Sequence, residues 1–559
     1  MNRFKLTVVA VLTVAGIAQA QVEKPQVMEE AMISISIPNV HGFLDEVGQV
    51  AAKVQPAMNG DMLKMMIGMQ LGDMNLAGVP ANGGLSIVAL DPTNIFAVIE
   101  VSEAQSSAYL NMAKAKGLQA SYTNGAVIVA KEAAVLETAD GKAGAVKSTL
   151  LSDNAAVLSV AMQPSRMIER NREAIDGFME MMPAMMGMTM MNQPGATLDS
   201  TQNITKLLQA ELAVLLSISE QCSAAEMKLA PKNGSLVLSK TFVPMPGTAL
   251  ADLVNAPAMN EENKKLHAGI LGDGAFKVDF VFANPQALST FISLETEKAI
   301  KAMNLEDADP DAITRMLTKC IDVYSGTGCE VVSFDSDTIG VRYVMEISDE
   351  AKALEMLRAM DKDMQPFLKM YEGLGMPMTM AFKENVREAE GVKIHQFSTT
   401  FDVSSMPAEQ KAQMEEMGVD HMVYDLAITD GLMFYSEEGG IEALIKKVKS
   451  GADAPKIAAR SSYPSGGFYY LDMDMGEYMA FAAKSLPDDP SSAAMKQQMG
   501  TLFVGTSPIT SAGFKKDGMV NWSVTIPGDL IAKYGQMIMM AQMQAMQQAP
   551  GLSPAVPVQ

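Results

Sequence analysis

Four stretches of the chain alternate apolar and polar residues, pass a polar or proline turn, and continue into an amphipathic helix. They are Met32-Ile-Ser-Ile-Ser-Ile-Pro-Asn with a helix near Phe43, and Ala156-Val-Leu-Ser-Val-Ala-Met-Gln-Pro with a helix near Met167. The others are Ala275-Phe-Lys-Val-Asp-Phe-Val-Phe-Ala-Asn-Pro with a helix near Phe291, and Gly467-Phe-Tyr-Tyr-Leu-Asp-Met-Asp with a helix near Tyr478. Alternation with period two predicts a strand, and the period then switches to that of a helix. A hairpin follows each copy, turning at Asp91-Pro-Thr-Asn, Pro231-Lys-Asn-Gly, Asp335-Ser-Asp-Thr and Lys515-Lys-Asp-Gly. Asn-Gly and Asp-Gly are strong hairpin signals because both residues adopt positive φ. A second helix is then announced by Ser102-Glu-Ala-Gln, Pro246-Gly-Thr, Ser348-Asp-Glu-Ala and Pro527-Gly-Asp. A serine cap with an acidic first turn satisfies free N–H groups and the helix dipole. The module is β-α-β-β-α.

The first and third modules carry an extra strand pair. Tyr122-Thr-Asn-Gly-Ala-Val-Ile-Val-Ala leads to a helix near Val135, and Ile428-Thr-Asp-Gly-Leu-Met-Phe-Tyr-Ser leads to one near Ile441. A long module followed by a short one therefore occurs twice. The predicted fold class is α+β: tandem β-α-β-β-α modules forming largely antiparallel sheets covered by helices, in two duplicated halves. The first half takes residues 21–265, with modules at about 30–150 and 151–265. The second takes 266–546, with modules at about 268–455 and 460–546. Residues 183–203 read as a loop, residues 365–420 hold an insertion with Gly373-Leu-Gly-Met-Pro-Met, and the tail 547–559 reads as disordered.

The N-terminus has a different pattern. Met-Asn-Arg-Phe-Lys precedes an apolar run from Leu6 to Ile17, which ends at Ala18-Gln19-Ala20. This is the layout of a secretory signal peptide over residues 1–20, with Gln21 as the expected new N-terminus. No cysteine follows the cleavage site, so lipid attachment there is not indicated. The mature chain is expected in the periplasm or outside the cell. No later run of 18 apolar residues predicts an integral membrane segment.

Removing Arg3 and Lys5 leaves 41 basic against 65 acidic residues, a charge of −24. Such a surface repels nucleic acid and anionic lipid. A hydrophobic content of 48% is enough for real cores. Of the three cysteines, Cys320 and Cys329 flank a Gly-containing turn and are the expected disulfide pair, with Cys222 left over.

The layout resembles a group of bacterial exported proteins defined only as a domain of unknown function, built of tandem α+β modules. The resemblance lies in the strand Ile33-Ser-Ile-Ser-Ile-Pro-Asn, the helix with Phe43 and Leu44, and the hairpin Gly84-Leu-Ser-Ile-Val-Ala-Leu with Phe96-Ala-Val-Ile-Glu-Val. Ala126-Val-Ile-Val-Ala adds to it. It covers most of the chain. It implies an envelope protein and no particular activity.

Chemistry-bearing motifs are scarce. There is no G-x-S-x-G elbow, no H-E-x-x-H and no phosphate loop, and His41, His267, His395 and His421 are scattered. Asp307, Asp309 and Asp311 have the spacing of a calcium loop, but Ala312 and Thr318 stand where that loop needs Gly and Glu. They are expected to precede a helix at Ile313. The exposed tyrosine of Phe468-Tyr-Tyr-Leu is the ordinary outcome of strand alternation.

The 49 methionines are the strongest departure from ordinary composition. Met65, Met66 and Met69 share a helical face, as do Met356, Met360 and Met364, so both groups are expected in helix cores. Met185, Met186, Met188, Met190 and Met191 lack clean periodicity and are the candidates for exposed thioethers that could hold a soft metal. The leading expectation is a non-enzymatic envelope protein, without cofactor, that binds an apolar ligand or a partner surface or serves structurally. A Met-rich copper-binding protein and a hydrolase with a dispersed site are the alternatives.

Overall fold

The computed structural model describes residues 25–190, 198–255, 268–272, 274–282, 285–303, 309–334, 339–373, 377–403, 411, 420–437, 440–450, 467–484 and 490–548. The signal segment and His267 lie outside them, as does the tail except Gln547 and Gln548, which end the last helix. The fold class is α+β, with all described strands in one antiparallel sheet of 18.

The first half contributes β1 (Ile33–Ile37), β2 (Leu85–Ala89), β3 (Ile95–Glu100), β4 (Gln119–Thr123), β5 (Ala126–Ala130), β6 (Leu158–Met162), β7 (Cys222–Lys232) and β8 (Ser235–Pro244). Their pairings give the order β4-β5-β3-β2-β1-β6-β7-β8. The second half contributes β9 (Phe276–Phe282), β10 (Tyr324–Phe334), β11 (Ile339–Ile347), β12 (Met378–Ala389), β13 (Val392–Phe401), β14 (His421–Thr429), β15 (Leu432–Glu437), β16 (Gly467–Met473), β17 (Ile509–Lys516) and β18 (Met519–Ile526). Their order is β12-β13-β14-β15-β11-β10-β9-β16-β17-β18. Apart from the hairpin β12–β13, which extends the outer edge, the second order repeats the first.

The halves meet through β8 and β18, where Ser239 lies opposite Ser523, Val520 opposite Phe242 and Ile526 opposite Leu236. Counting from the turns at Asn233-Gly234 and Asp517-Gly518, each serine holds the same place in its own hairpin. The seam is therefore self-complementary, like the interface of a two-fold dimer. Helices cross it in both directions. Helix Gly528–Gln548 packs on Val40–Val54, and helix Ala249–Asn255 packs on Pro285–Met303. Helix Leu198–Glu220 also lies on Pro285–Met303. There Glu295, 6% exposed, accepts hydrogen bonds from Ser217 (2.8 Å) and Gln221 (2.9 Å).

Alternation decides the two faces. Val127 faces the front with Phe43, Leu44 and Tyr109, while Ile128 faces the back with Val135, Ala139, Ala143, Val146 and Leu150. The latter five recur with the 3.6-residue period along helix Ala133–Leu150. In the second half Met433 faces Ala353 and Leu357 at the front, and Phe434 faces Ile441 and Leu444 at the back.

Several expectations change. Residues 183–190 belong to helix Arg172–Met190 and residues 198–203 to helix Leu198–Glu220, in place of a loop. Methionine is a good helix former, and the helix forms although Pro183 in its interior costs about 3 kcal/mol and one glycine about 1 kcal/mol. Ser102 is an N-cap residue without a side-chain bond, and Asp349 instead of Ser348 caps helix Glu350–Asp363, accepting from Ala351 at 2.9 Å and Lys352 at 3.1 Å. No disulfide joins Cys320 and Cys329. Cys329 lies on the back face among Val331, Phe434 and Ile441, whereas Cys320 is on helix Pro310–Val323 near Asp363, on the front. The sheet stands between them.

Candidate functional site

The front of the first half carries an uncovered row. Ile35 of β1 stands between Ile87 of β2 and Val160 of β6, and Val160 stands opposite Met227 of β7. Ile35 is 37% exposed, Ile87 40% and Met227 39%. Further along the same strands Ile37 and Leu158 are covered by Phe43 and Leu44. On the back Ser34, Ser36, Ser86 and Ser159 are buried. The usual partition is inverted: serines lie inside and isoleucines outside. Ser159 gains a partner in the buried Glu226 (2.6 Å), while the hydroxyls of Ser34 and Ser86 have no hydrogen-bond partner.

This row belongs to a wider asymmetry. Of the 18 large apolar residues exposed among the described residues, 14 lie between Ile35 and Met227. Met62, Met65, Met66 and Met69 form a stripe on the outer face of helix Gly60–Leu71, although Met65, Met66 and Met69 were expected in a core. The face that helix packs inward is marked by the buried Gly68 instead. In the second half Met356, Met360 and Met364 do pack in cores. Helix Arg172–Met190 exposes Phe178, Met181 and Met185. The side chains of Met186, Met188 and Met190, and all of Met191, lie outside the described residues.

The corresponding place in the second half is aromatic. Register puts Val278 at the position of Ile35, Glu330 at that of Ile87 and Leu471 at that of Val160. Tyr343 and Tyr435 stand where Ala97 and Val129 stand in the first half. The rings of Phe280 and Tyr343 stack at 5.8 Å, and those of Tyr343 and Tyr435 at 4.9 Å. Tyr424 meets Tyr435 edge-on at 5.7 Å. Gly328 permits this: a Cβ there would lie 2.3 Å from the Phe280 ring. Tyr324, Tyr343, Tyr435, Phe280 and Glu330 all keep part of their surface accessible. Yet burial drives the Tyr324, Tyr343 and Tyr435 hydroxyls above the ordinary tyrosine range. Burial and then the Glu330 charge push Tyr469 up to about 12. Tyr324 and Tyr435 pack against the front core with Ala353 and Leu357.

Elsewhere the polar groups are structural. His41 Nε2 lies 3.1 Å from the Val79 carbonyl oxygen, and His421 Nδ1 lies 2.8 Å from Thr400 Oγ1. His395 is buried against Phe382, accepts from the Asn385 N–H at 3.3 Å, and is held below its ordinary pKa by burial. Asp309 caps its helix by accepting from the Ala312 N–H at 2.9 Å. Among the described residues no group of three or more His, Cys, Asp or Glu side chains converges as a metal site. No helix among them is long and apolar enough to cross a membrane. No protein-family model, no curated protein and no solved structure matches this chain.

Proposed function

We propose that the chain is an exported, non-enzymatic binding protein that holds an apolar ligand or partner surface on the front of its first half. The row Ile87–Ile35–Val160–Met227, exposed except at the half-buried Val160, carries this reading. Contiguous exposed apolar surface is costly in water and marks interaction sites. The neighbouring methionines are flexible and polarizable and adapt to varied apolar shapes. The repeated strand order and the self-paired seam support an internal duplication, after which the two front faces diverged. The N-terminal segment supports export, and N-terminal sequencing of the mature protein should begin at Gln21.

A neutral apolar dye, N-phenyl-1-naphthylamine, tests the binding face. Wild-type protein should bind it saturably with enhanced fluorescence, and the double variant Ile35→Lys/Ile87→Lys should lose most of that signal. Equal dye binding by the two proteins would sink the reading.

A second reading follows from Met62, Met65, Met66 and Met69, which are exposed at i, i+3, i+4 and i+7, and from Met181 and Met185 at i and i+4. Thioethers on successive turns suit Cu(I). Unchanged Cu(I) affinity after replacing these six methionines by leucine would remove it.

A further inference from the structure

We propose that the occupant of the row Ile87–Ile35–Val160–Met227 is a cationic amphipathic helix of a partner protein. This rests on the reading of that row as a binding face and names what the face takes. The row runs across β2, β1, β6 and β7 between two sets of helices. Helix Val40–Val54 covers one end of these strands, where Phe43 and Leu44 meet Ile37 and Leu158. Helix Pro164–Arg170 packs on β7, and its Arg170 donates to the Leu90 carbonyl at 3.0 Å, past the opposite end of β2. The exposed methionines stand on the continuations of these helices. Helix Gly60–Leu71, with Met62, Met65, Met66 and Met69, packs on Val40–Val54, and helix Arg172–Met190, with Met181 and Met185, follows Pro164–Arg170.

The sheet itself selects a helix. Each of the four strands is paired on both sides, so none has a free edge to which an extended peptide could add. A peptide on this face must satisfy its own N–H and C=O groups, as a helix does. The dimensions agree. Four adjacent strands span about 14 Å, and three helical turns span about 16 Å, so one apolar side chain per turn meets each successive strand.

Charge selects a cationic one. On the three helices Gly60–Leu71, Pro164–Arg170 and Arg172–Met190 the basic residues are Lys64, Arg166, Arg170 and Arg172. Lys64 pairs with Asp45, and Arg172 pairs with Glu220. Arg166 and Arg170 donate to the carbonyls of Glu29 and Leu90. Against the two charges left unpaired stand the exposed Asp61, Glu169, Glu173, Asp176 and Glu180, which have no ion-pair partner among the described residues. An apolar floor with surplus acids on its flanks complements a helix with one apolar face and lysine or arginine on the other. An anionic amphiphile would meet these acids and a chain whose net charge is −22.

The test titrates the mature protein into three fluorescent three-turn peptides and follows anisotropy. One is an amphipathic helix of leucine and lysine, the second replaces lysine by glutamate, and the third scrambles the first so that it has no apolar face. The first should bind saturably at one site, about tenfold or more tighter than either of the others. Ile35→Lys/Ile87→Lys should weaken it by about tenfold or more. Glu173→Gln/Asp176→Asn/Glu180→Gln should weaken it too, while leaving binding of N-phenyl-1-naphthylamine unchanged. Equal binding of the lysine peptide and either control by the wild type would overturn the proposal even if a variant failed to fold. Dye binding without peptide binding would overturn it and leave the apolar face standing. A wild-type dimer in sedimentation that Ile35→Lys/Ile87→Lys dissolves would also overturn it, by assigning the row to a second copy of the chain.

Discussion

Ser239 lies directly opposite Ser523 at the middle of the only strand pairing between the two halves among the described residues, and the two serines are positional equivalents. The strand pairing reads the same in both directions, and the helix that ends the second half packs on the first helix of the first half. Helix Gly528–Gln548 makes that contact where Gly535 meets Val54, and a Cβ on Gly535 would lie 2.5 Å from the Val54 Cα. Gly535→Leu should force the helices apart and cost about 1–3 kcal/mol, as overpacking does. Gly141, inside helix Ala133–Leu150, faces open space where a methyl group would stand, so Gly141→Ala should instead stabilise by about 0.4–1 kcal/mol. Urea unfolding midpoints compare the two.

Arg387 joins the hairpin β12–β13 to the rest of the second half. Its guanidinium donates to Asp425, which is fully buried, and to Glu442 at 2.6 Å. Arg387→Ala leaves Asp425 without its cation and should destabilise by about 3–5 kcal/mol. The exposed pair Lys301–Glu297 sets the contrast: Glu297→Ala should leave the unfolding midpoint unmoved.

Glu226 and Glu295 are raised above the ordinary carboxylate range, burial being the largest cause in each. A carboxyl whose folded pKa exceeds its unfolded value binds protons more readily when folded. Its contribution to stability therefore grows as pH falls through the folded pKa and is complete below the unfolded one. Glu226→Gln/Glu295→Gln should be more stable than wild type near pH 8, with that advantage shrinking towards about pH 5. His395, lowered by burial, works in the opposite direction, so wild type and variant are compared at each pH. A pH-independent difference in urea midpoint would contradict the assignment.

Brief exposure to hydrogen peroxide should oxidise Met65, Met66, Met69, Met74, Met181 and Met185 well before Met345 or Met433, because the former are exposed and the latter buried. Peptide mass spectrometry reads the order. Oxidation of the first group should also weaken dye binding if the stripe belongs to the apolar face.

Local signals carried most of the fold. The turns Asn124-Gly125, Asn233-Gly234, Asp430-Gly431 and Asp517-Gly518 all adopt positive φ, as their residue types require, and they fix four hairpins. Glu390-Gly391 turns the same way between β12 and β13, but glutamate gives no such signal, so that hairpin was hidden inside an insertion. The joining of β8 to β18 was also illegible, since those strands lie far apart in sequence and no local pattern selects their partner. Periodicity placed Met65, Met66 and Met69 on one face without revealing that the face meets water. Alternation likewise separated Ile35 from Ser34 and Ser36 but could not say which side would be covered. The aromatic row draws on β9, β10, β11 and β15, and only the assembled sheet brings Phe280 to Tyr343.

The binding role of the first half is tested most directly by native mass spectrometry of the protein extracted gently from the envelope of the cells that make it. Wild-type protein should carry an added mass, a ligand or a partner, that Ile35→Lys/Ile87→Lys protein lacks. An unmodified mature mass for wild type, or the same added mass on both proteins, would contradict it.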